Sequence, residues 1–173
     1  MNIRVYNAGK ITKYELLVRM VCEATSGYIC NLEVYTTEGK NLIQTITLVL
    51  EPYIKLWHHV YMDSYYNSVA NTEILLSKKF RTCGTIRVNR GLPTSLKTLQ
   101  LKKGESRFCR RNDTLLQVWR SKNCARMISN IHSAEICDTN KVDSKTGQII
   151  KNPKCILDYN KFMKGVDRAV FLP

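Results

Sequence analysis

Apolar and polar positions fall into a readable order along the 173-residue chain. Residues 14–22 are mostly apolar and partly β-branched, which predicts a strand. Thr25-Ser26-Gly27 is turn chemistry, and residues 28–35 set Tyr28, Cys30, Leu32 and Val34 against Ile29, Asn31 and Glu33, the alternation of a hairpin partner. Ile43, Ile46, Val49, Leu50 and Tyr53 recur at helical spacing over residues 42–55, with Pro52 close to the expected end. Residues 59–62 make a short strand that runs into Asp63, and Ser68 is a capping residue for a helix over 68–78. A strand over 83–88, a short helix from Pro93 to Leu101, and a hairpin of 104–111 with 115–119 turning at Asn112-Asp113 come next. Residues 125–130 add a strand, polar residues 140–153 read as loop, and 158–170 read as one helix carrying Asp167. This order contains a strand–helix–strand unit, so it predicts an α/β fold with helices against a sheet.

Composition narrows the picture little: 44% hydrophobic and 24% charged residues are ordinary for a globular chain. The most apolar stretch, residues 42–50, is far short of the ~20 residues that span a bilayer, and residues 1–10 lack a secretory signal pattern. No membrane partner is expected. The seven cysteines are odd in number and scattered without C-x-x-C spacing, so neither a zinc site nor a disulfide framework is expected. Trp57 and Trp119 are expected in the core, and His58 and His59 at a strand edge.

Charge changes the picture more. Of a net +13, residues 78–126 contribute +12, with 14 Lys/Arg against Glu105 and Asp113 alone. Such a segment repels itself unless an anion neutralises it, and DNA does so with release of counterions. Arg87, Asn89, Arg90, Lys102, Lys103, Arg110 and Arg111 are the candidate DNA contacts. Asp63 at a strand end is the one position where a sheet of this type favours chemistry. A lone aspartate after a strand more often serves as a turn residue or a helix cap.

Several segments then form one family pattern. Residues 61–68 (Tyr-Met-Asp-Ser-Tyr-Tyr-Asn-Ser) resemble the signature around the second catalytic aspartate of piggyBac-type transposases. Residues 83–93 (Cys-Gly-Thr-Ile-Arg-Val-Asn-Arg-Gly-Leu-Pro) resemble that family's following basic segment, and Lys102-Lys103-Gly104-Glu105 and Val118-Trp119 also fit. Residues 158–167 (Asp-Tyr-Asn-Lys-Phe-Met-Lys-Gly-Val-Asp) resemble its third-aspartate motif, and residues 13–28 its first-aspartate strand and hairpin. The matching pieces run in family order from about residue 13 to 168.

The resemblance implies a ribonuclease-H-like DDE transposase core with a basic β-rich insertion, truncated at both ends. It divides the single catalytic domain 1–173 into a core at about 13–90, an insertion-like region at 91–155 and a helix with the third acid at 156–170. It implies cut-and-paste DNA transposition at TTAA sites in the nucleus, with Glu23, Asp63 and Asp167 as catalytic residues and ligands for Mg2+ or Mn2+. Partners would be DNA and a second copy or a full-length transposase. Three carboxylates suit this chemistry because two hard cations must be held side by side. Glu23 departs from the family, which has aspartate there; the extra methylene displaces the carboxylate where geometry is demanding. Three readings stay open: a remnant with degenerate catalysis, a working metal-dependent nuclease subunit, and a domesticated DNA- or chromatin-binding module without chemistry.

Overall fold

A computed structural model of the chain describes residues 4–6, 8–9, 13–36, 39–144 and 146–170. They fall into two compact units: Met1–Ile54 with Lys164–Pro173, and Lys55–Met163.

In the first unit, β1 (Arg4–Tyr6) pairs antiparallel with β2 (Tyr14–Leu16), and β3 (Val18–Cys22) pairs antiparallel with β4 (Ile29–Val34). The single strand expected over 14–22 is therefore two. It breaks at Leu17, whose carbonyl accepts the Tyr35 amide at 2.8 Å while β2 and β3 serve different partners. Helix α1 (Leu42–Leu50) starts with a reciprocal cap: Asn41 accepts from the Gln44 amide at 3.0 Å, and Gln44 accepts from the Asn41 amide at 2.9 Å. Pro52 lacks an amide hydrogen, and the helix passes into a 3-10 turn at Glu51–Tyr53. Two long-range bonds fasten this helix to β4, Asn31 Nδ2 to the Val49 carbonyl at 3.0 Å and the Tyr53 hydroxyl to the Cys30 carbonyl at 3.1 Å.

The second unit is built on a five-stranded mixed sheet. Strand β5 (His59–Met62) runs through α2 (Val69–Ser77) into β6 (Arg81–Thr85), parallel to β5. Ser68 caps α2 as expected, its hydroxyl accepting the Asn71 amide at 3.0 Å. After α3 (Thr94–Lys97) come the antiparallel strands β7 (Ser106–Arg111), β8 (Thr114–Arg120) and β9 (Cys124–Ser129), and the sheet order is β5-β6-β9-β8-β7. Residues 91–155 thus supply three of the five strands. The tight turn between β7 and β8 places Asn112 at φ +51°, a left-handed conformation that asparagine tolerates.

Strand β8 is buried on both faces from Thr114 to Trp119, with the polar Thr114 and Gln117 among its buried side chains. Trp119 meets Cys83, Met127, Cys155, Ile156 and Tyr159 on one face. Leu116 and Val118 meet Ile86, Leu92, Leu96 and Ile128 on the other. Trp119 is core as expected, but Trp57 is not: it stands 46% exposed in the loop before β5.

Two further expectations change. Residues 140–153 are not loop: β10 (Ile136–Val142) and β11 (Ile149–Pro153) form an antiparallel hairpin, closed by Gly147 at φ +69°. Most of its residues are exposed, so no buried face imposes an apolar alternation. The single helix expected over 158–170 is α4 (Lys154–Phe162) in this unit and α5 (Gly165–Val170) in the first. The break falls beside Gly165, where a Cβ would lie only 3.0 Å from the Glu23 carbonyl oxygen, so glycine lets α5 sit against the end of β3.

Asn67 holds the functional end of the sheet. Fully buried, it donates from Nδ2 to the Met62 carbonyl at 2.8 Å and the Thr85 carbonyl at 3.0 Å, joining the ends of β5 and β6. Gly84 makes room, because a Cβ there would overlap the Met62 oxygen and Asn67 Nδ2. We expect Asn67→Ala to destabilise this unit by about 2–4 kcal/mol, since two buried acceptors lose a donor and a cavity opens. Gly84→Ala should be at least as damaging. Urea unfolding midpoints within error of wild type for both variants would refute the clamp.

Candidate catalytic carboxylates and basic surface

Asp63 sits where β5 ends. Its Oδ1 accepts the Tyr65 amide at 2.9 Å and its carbonyl accepts the Asn67 amide at 3.2 Å, so the carboxylate is exposed yet fixed by its own turn. The end of β6 brings basic residues to the same place. Arg87 Nε donates to Ser64 Oγ at 3.5 Å, and its guanidinium lies 5.9 Å from the Tyr65 ring centroid. Asn89 is exposed in the following turn, and the Arg90 carbonyl accepts the Val69 amide at 3.1 Å. Three of the candidate DNA contacts therefore share this sheet end with Asp63. Tyr159 of α4 belongs here too, although its role was not legible in the sequence. Burial above all raises its phenol above the usual range, against a hydrogen bond with Thr85 that lowers it, and the Asp63 charge adds to the rise. The Asp-Tyr-Asn run around it was the only signal.

Glu23 and Asp167 lie in the other unit. Glu23 Oε2 accepts from the Ser26 amide at 2.5 Å, the Ser26 hydroxyl at 2.7 Å and the Thr25 amide at 3.0 Å. These bonds, the Ser26 amide first, hold the carboxyl down at about 2. Helix α5 packs on this turn: Arg168 Nη1 donates to the Ala24 carbonyl at 2.8 Å and also to that of Thr25, while Asp167 is exposed in the first turn of α5. Glu23 and Asp167 are therefore on neighbouring segments of one unit.

Three carboxylates are hard oxygen donors and match Mg2+ or Mn2+ in chemistry. Glu23 is already engaged within its own turn. Three donor hydrogens converge on Glu23 Oε2, and a cation at that oxygen would have to displace them. Among the described residues, no three His, Cys, Asp or Glu side chains come together to hold a metal. The thiols offer no alternative centre in the core, because burial pushes both Cys83 and Cys155 up to about 12.

The remaining basic candidates lie along β7 and the turn before it. Lys102 and Lys103 are exposed; the Lys102 amide donates to Glu105 at 3.0 Å, and Lys103 Nζ meets Asp143 at 3.2 Å. Arg110 Nη2 donates to the His132 carbonyl at 2.8 Å, and Arg111 lies 3.6 Å from Glu73. Solvent-exposed pairs of this kind contribute little and are readily exchanged for phosphate. Strand β7 is a sheet edge, so these cations stand at a border of the fold.

A chain of Ser129 Oγ, His132 and Asp158 has contacts of 2.9 Å and 3.0 Å, which looks like a nucleophilic triad. It is structural. Ser129 is fully buried, and its hydroxyl already accepts the amides of Ile131 and His132. Asp158 is also bound by Lys154 Nζ at 2.7 Å; burial pushes its carboxyl up, but the bonds from Lys154 and His132 outweigh burial and leave it lowered.

The mixed sheet with its β5–α2–β6 unit, ending in a fixed Asp63 and a basic turn, gives a mixed α/β fold similar to that of DDE transposases. A family model described as Transposase IS4 matches residues 1–172, and the chain belongs to this family, the piggyBac-type transposases. Among solved structures, a piggyBac transposase in a synaptic complex with hairpin DNA, determined by cryo-EM, shares the fold with a TM-score of 0.74 at 24% identity. The match covers 95% of this chain and 35% of that one, so the chain spans about a third of the length of its structural relative.

The Glu23 turn has a pH signature. A carboxyl at about 2 when folded, against its ordinary 4.5, favours the folded state above the ordinary value. That contribution should fade as pH falls from about 4.5 towards 2. Carbon NMR should place the Glu23 midpoint near 2, and Ser26→Ala should move it up towards the ordinary range. An unmoved midpoint would mean that Ser26 does not set it.

Proposed function

We propose that the chain is a piggyBac-type transposase core segment that engages DNA and whose metal-dependent chemistry is degenerate at its first acidic position. The observation that carries this reading is the use made of Glu23. Where the family pattern has an aspartate, this chain has a longer carboxylate whose Oε2 is bound to the turn that follows it. Asp63 and Asp167 are the remaining acids of the set. In a competent centre, Mg2+ or Mn2+ held by the three carboxylates would activate the attacking oxygen and stabilise the leaving one.

DNA engagement is supported from two sides. The structural relative is a synaptic complex with hairpin DNA. In this chain, most of the positive charge lies in residues 78–126, and Arg87, Asn89 and Arg90 border Asp63 while Lys102, Lys103, Arg110 and Arg111 lie at β7 and its approach. These residues would contact phosphates, which position a duplex without reading its bases. Action on DNA implies the nucleus as the place of work. A second copy, or a longer transposase, would supply surfaces beyond this segment.

Cleavage of a TTAA-containing duplex in Mg2+ or Mn2+ tests the chemistry. We expect wild type to match Asp63→Asn, with no cleavage above background, and Glu23→Asp to restore activity if the remaining geometry is sound. Wild-type cleavage that Asp63→Asn abolishes would overturn the degenerate reading. Binding is tested separately: Arg110→Glu with Arg111→Glu should weaken duplex binding and lower the salt slope by about 2, close to 0.9 per lost phosphate contact. An unchanged slope would remove β7 from the interface.

A further inference from the structure

The loops that lead into the two parallel strands carry a feature that neither the carboxylates nor β7 explain. Trp57, before β5, has φ +57°; Lys55, in the same loop, has φ +69°; Lys79, before β6, has φ +67°. Bulky L-residues seldom occupy this left-handed region, and they do so where the surroundings fix them. Here the Lys55 amide donates to the Lys78 carbonyl at 3.0 Å and ties the two loops together.

The outcome is an indole set among cations. Lys79 Nζ lies 5.0 Å and the Arg81 guanidinium 5.4 Å from the Trp57 ring centroid. Arg81 is itself anchored, donating from Nη1 to the Asn130 carbonyl at 2.8 Å. Trp57 remains 46% exposed and Leu56 beside it 60% exposed. Residues 54–59 and 77–81 include Lys55, Lys78, Lys79 and Arg81 and no Asp or Glu. A half-exposed indole with Lys79 and Arg81 over its ring, amid cations that have no acidic counterpart in either loop, suits an unpaired base and its flanking phosphates. Because β5 and β6 are parallel, this patch lies at the strand starts and Asp63 at the strand end. The four residues of β5 separate them by about 13 Å.

We propose that this patch is a second nucleic-acid contact, at which single-stranded DNA stacks a base on Trp57 while Lys55 and Lys79 take the neighbouring phosphates. It rests on the DNA-binding reading for its class of ligand and is independent of the carboxylates.

The full chain is titrated with a labelled single-stranded DNA 12-mer and with a duplex of the same sequence. Trp57→Gly removes the ring and suits the left-handed backbone, so the fold should persist. It should weaken single-strand binding by about 5- to 150-fold, with a smaller effect on the duplex, and Trp57→Phe should recover most of the loss. Lys79→Ala should lower the single-strand salt slope by about 0.7. In Trp119→Phe, which leaves Trp57 as the sole indole, single-stranded DNA should quench the emission. Wild-type affinity in folded Trp57→Gly, while the duplex still binds, would overturn this contact and leave the DNA-binding reading standing. Failure of wild type to bind either DNA would overturn both. An acidic peptide that competes equally well with the 12-mer and quenches Trp57 would overturn the choice of nucleic acid.

Discussion

The functional end of the larger unit depends on one buried amide. Asn67 bridges the last carbonyl of β5 and the last carbonyl of β6, and its backbone closes the turn that presents Asp63. Parallel strands leave carbonyls at their C-terminal ends without a ladder partner, and in a buried position such acceptors must be satisfied. A short side chain with two donor hydrogens does this for both strands at once. It needs a neighbour without a Cβ, and Gly84 is that neighbour. The exposed carboxylate, the Tyr65-Tyr66 pair and the Arg87 side chain all take their places from this fixed turn.

The smaller unit uses its carboxylate differently. Asp63 accepts one backbone amide, but Glu23 Oε2 gathers two amides and a hydroxyl and closes the β3–β4 turn. Gly27 at φ +81° and Gly165 then let α5 approach that turn, and Arg168 fastens it through two carbonyls. This acid is thus put to structural use.

Positive charge is organised by the sheet rather than by the chain. Arg87 and Arg90 follow β6, Arg110 and Arg111 end β7, Lys79 precedes β6 and Arg81 opens it. Residues close in sequence therefore serve opposite ends of the same strands. In the acid-poor segment that supplies most of them, the available counter-charges come mainly from elsewhere: Arg111 meets Glu73 and Lys103 meets Asp143.

The sequence by itself determined the family, the order of most elements and the capped start of α2. Those rest on short-range chemistry: periodicity, turn residues and a side chain reaching its own next turn. It also identified Asp63 as a strand-end residue and the concentration of charge in residues 78–126. The tertiary structure alone decided the rest. It split residues 14–22 between two partners, and broke the final helix where Gly165 meets Glu23. It paired residues 136–153 into a hairpin whose exposure erases the apolar signal, and turned Trp57 outward. It also made Glu23 a clamp, Asn67 a bridge and Tyr159 a neighbour of Asp63. Strand partners and sheet ends depend on contacts between residues far apart in the chain. Even the local Glu23 turn depends on a backbone path that residue order does not express.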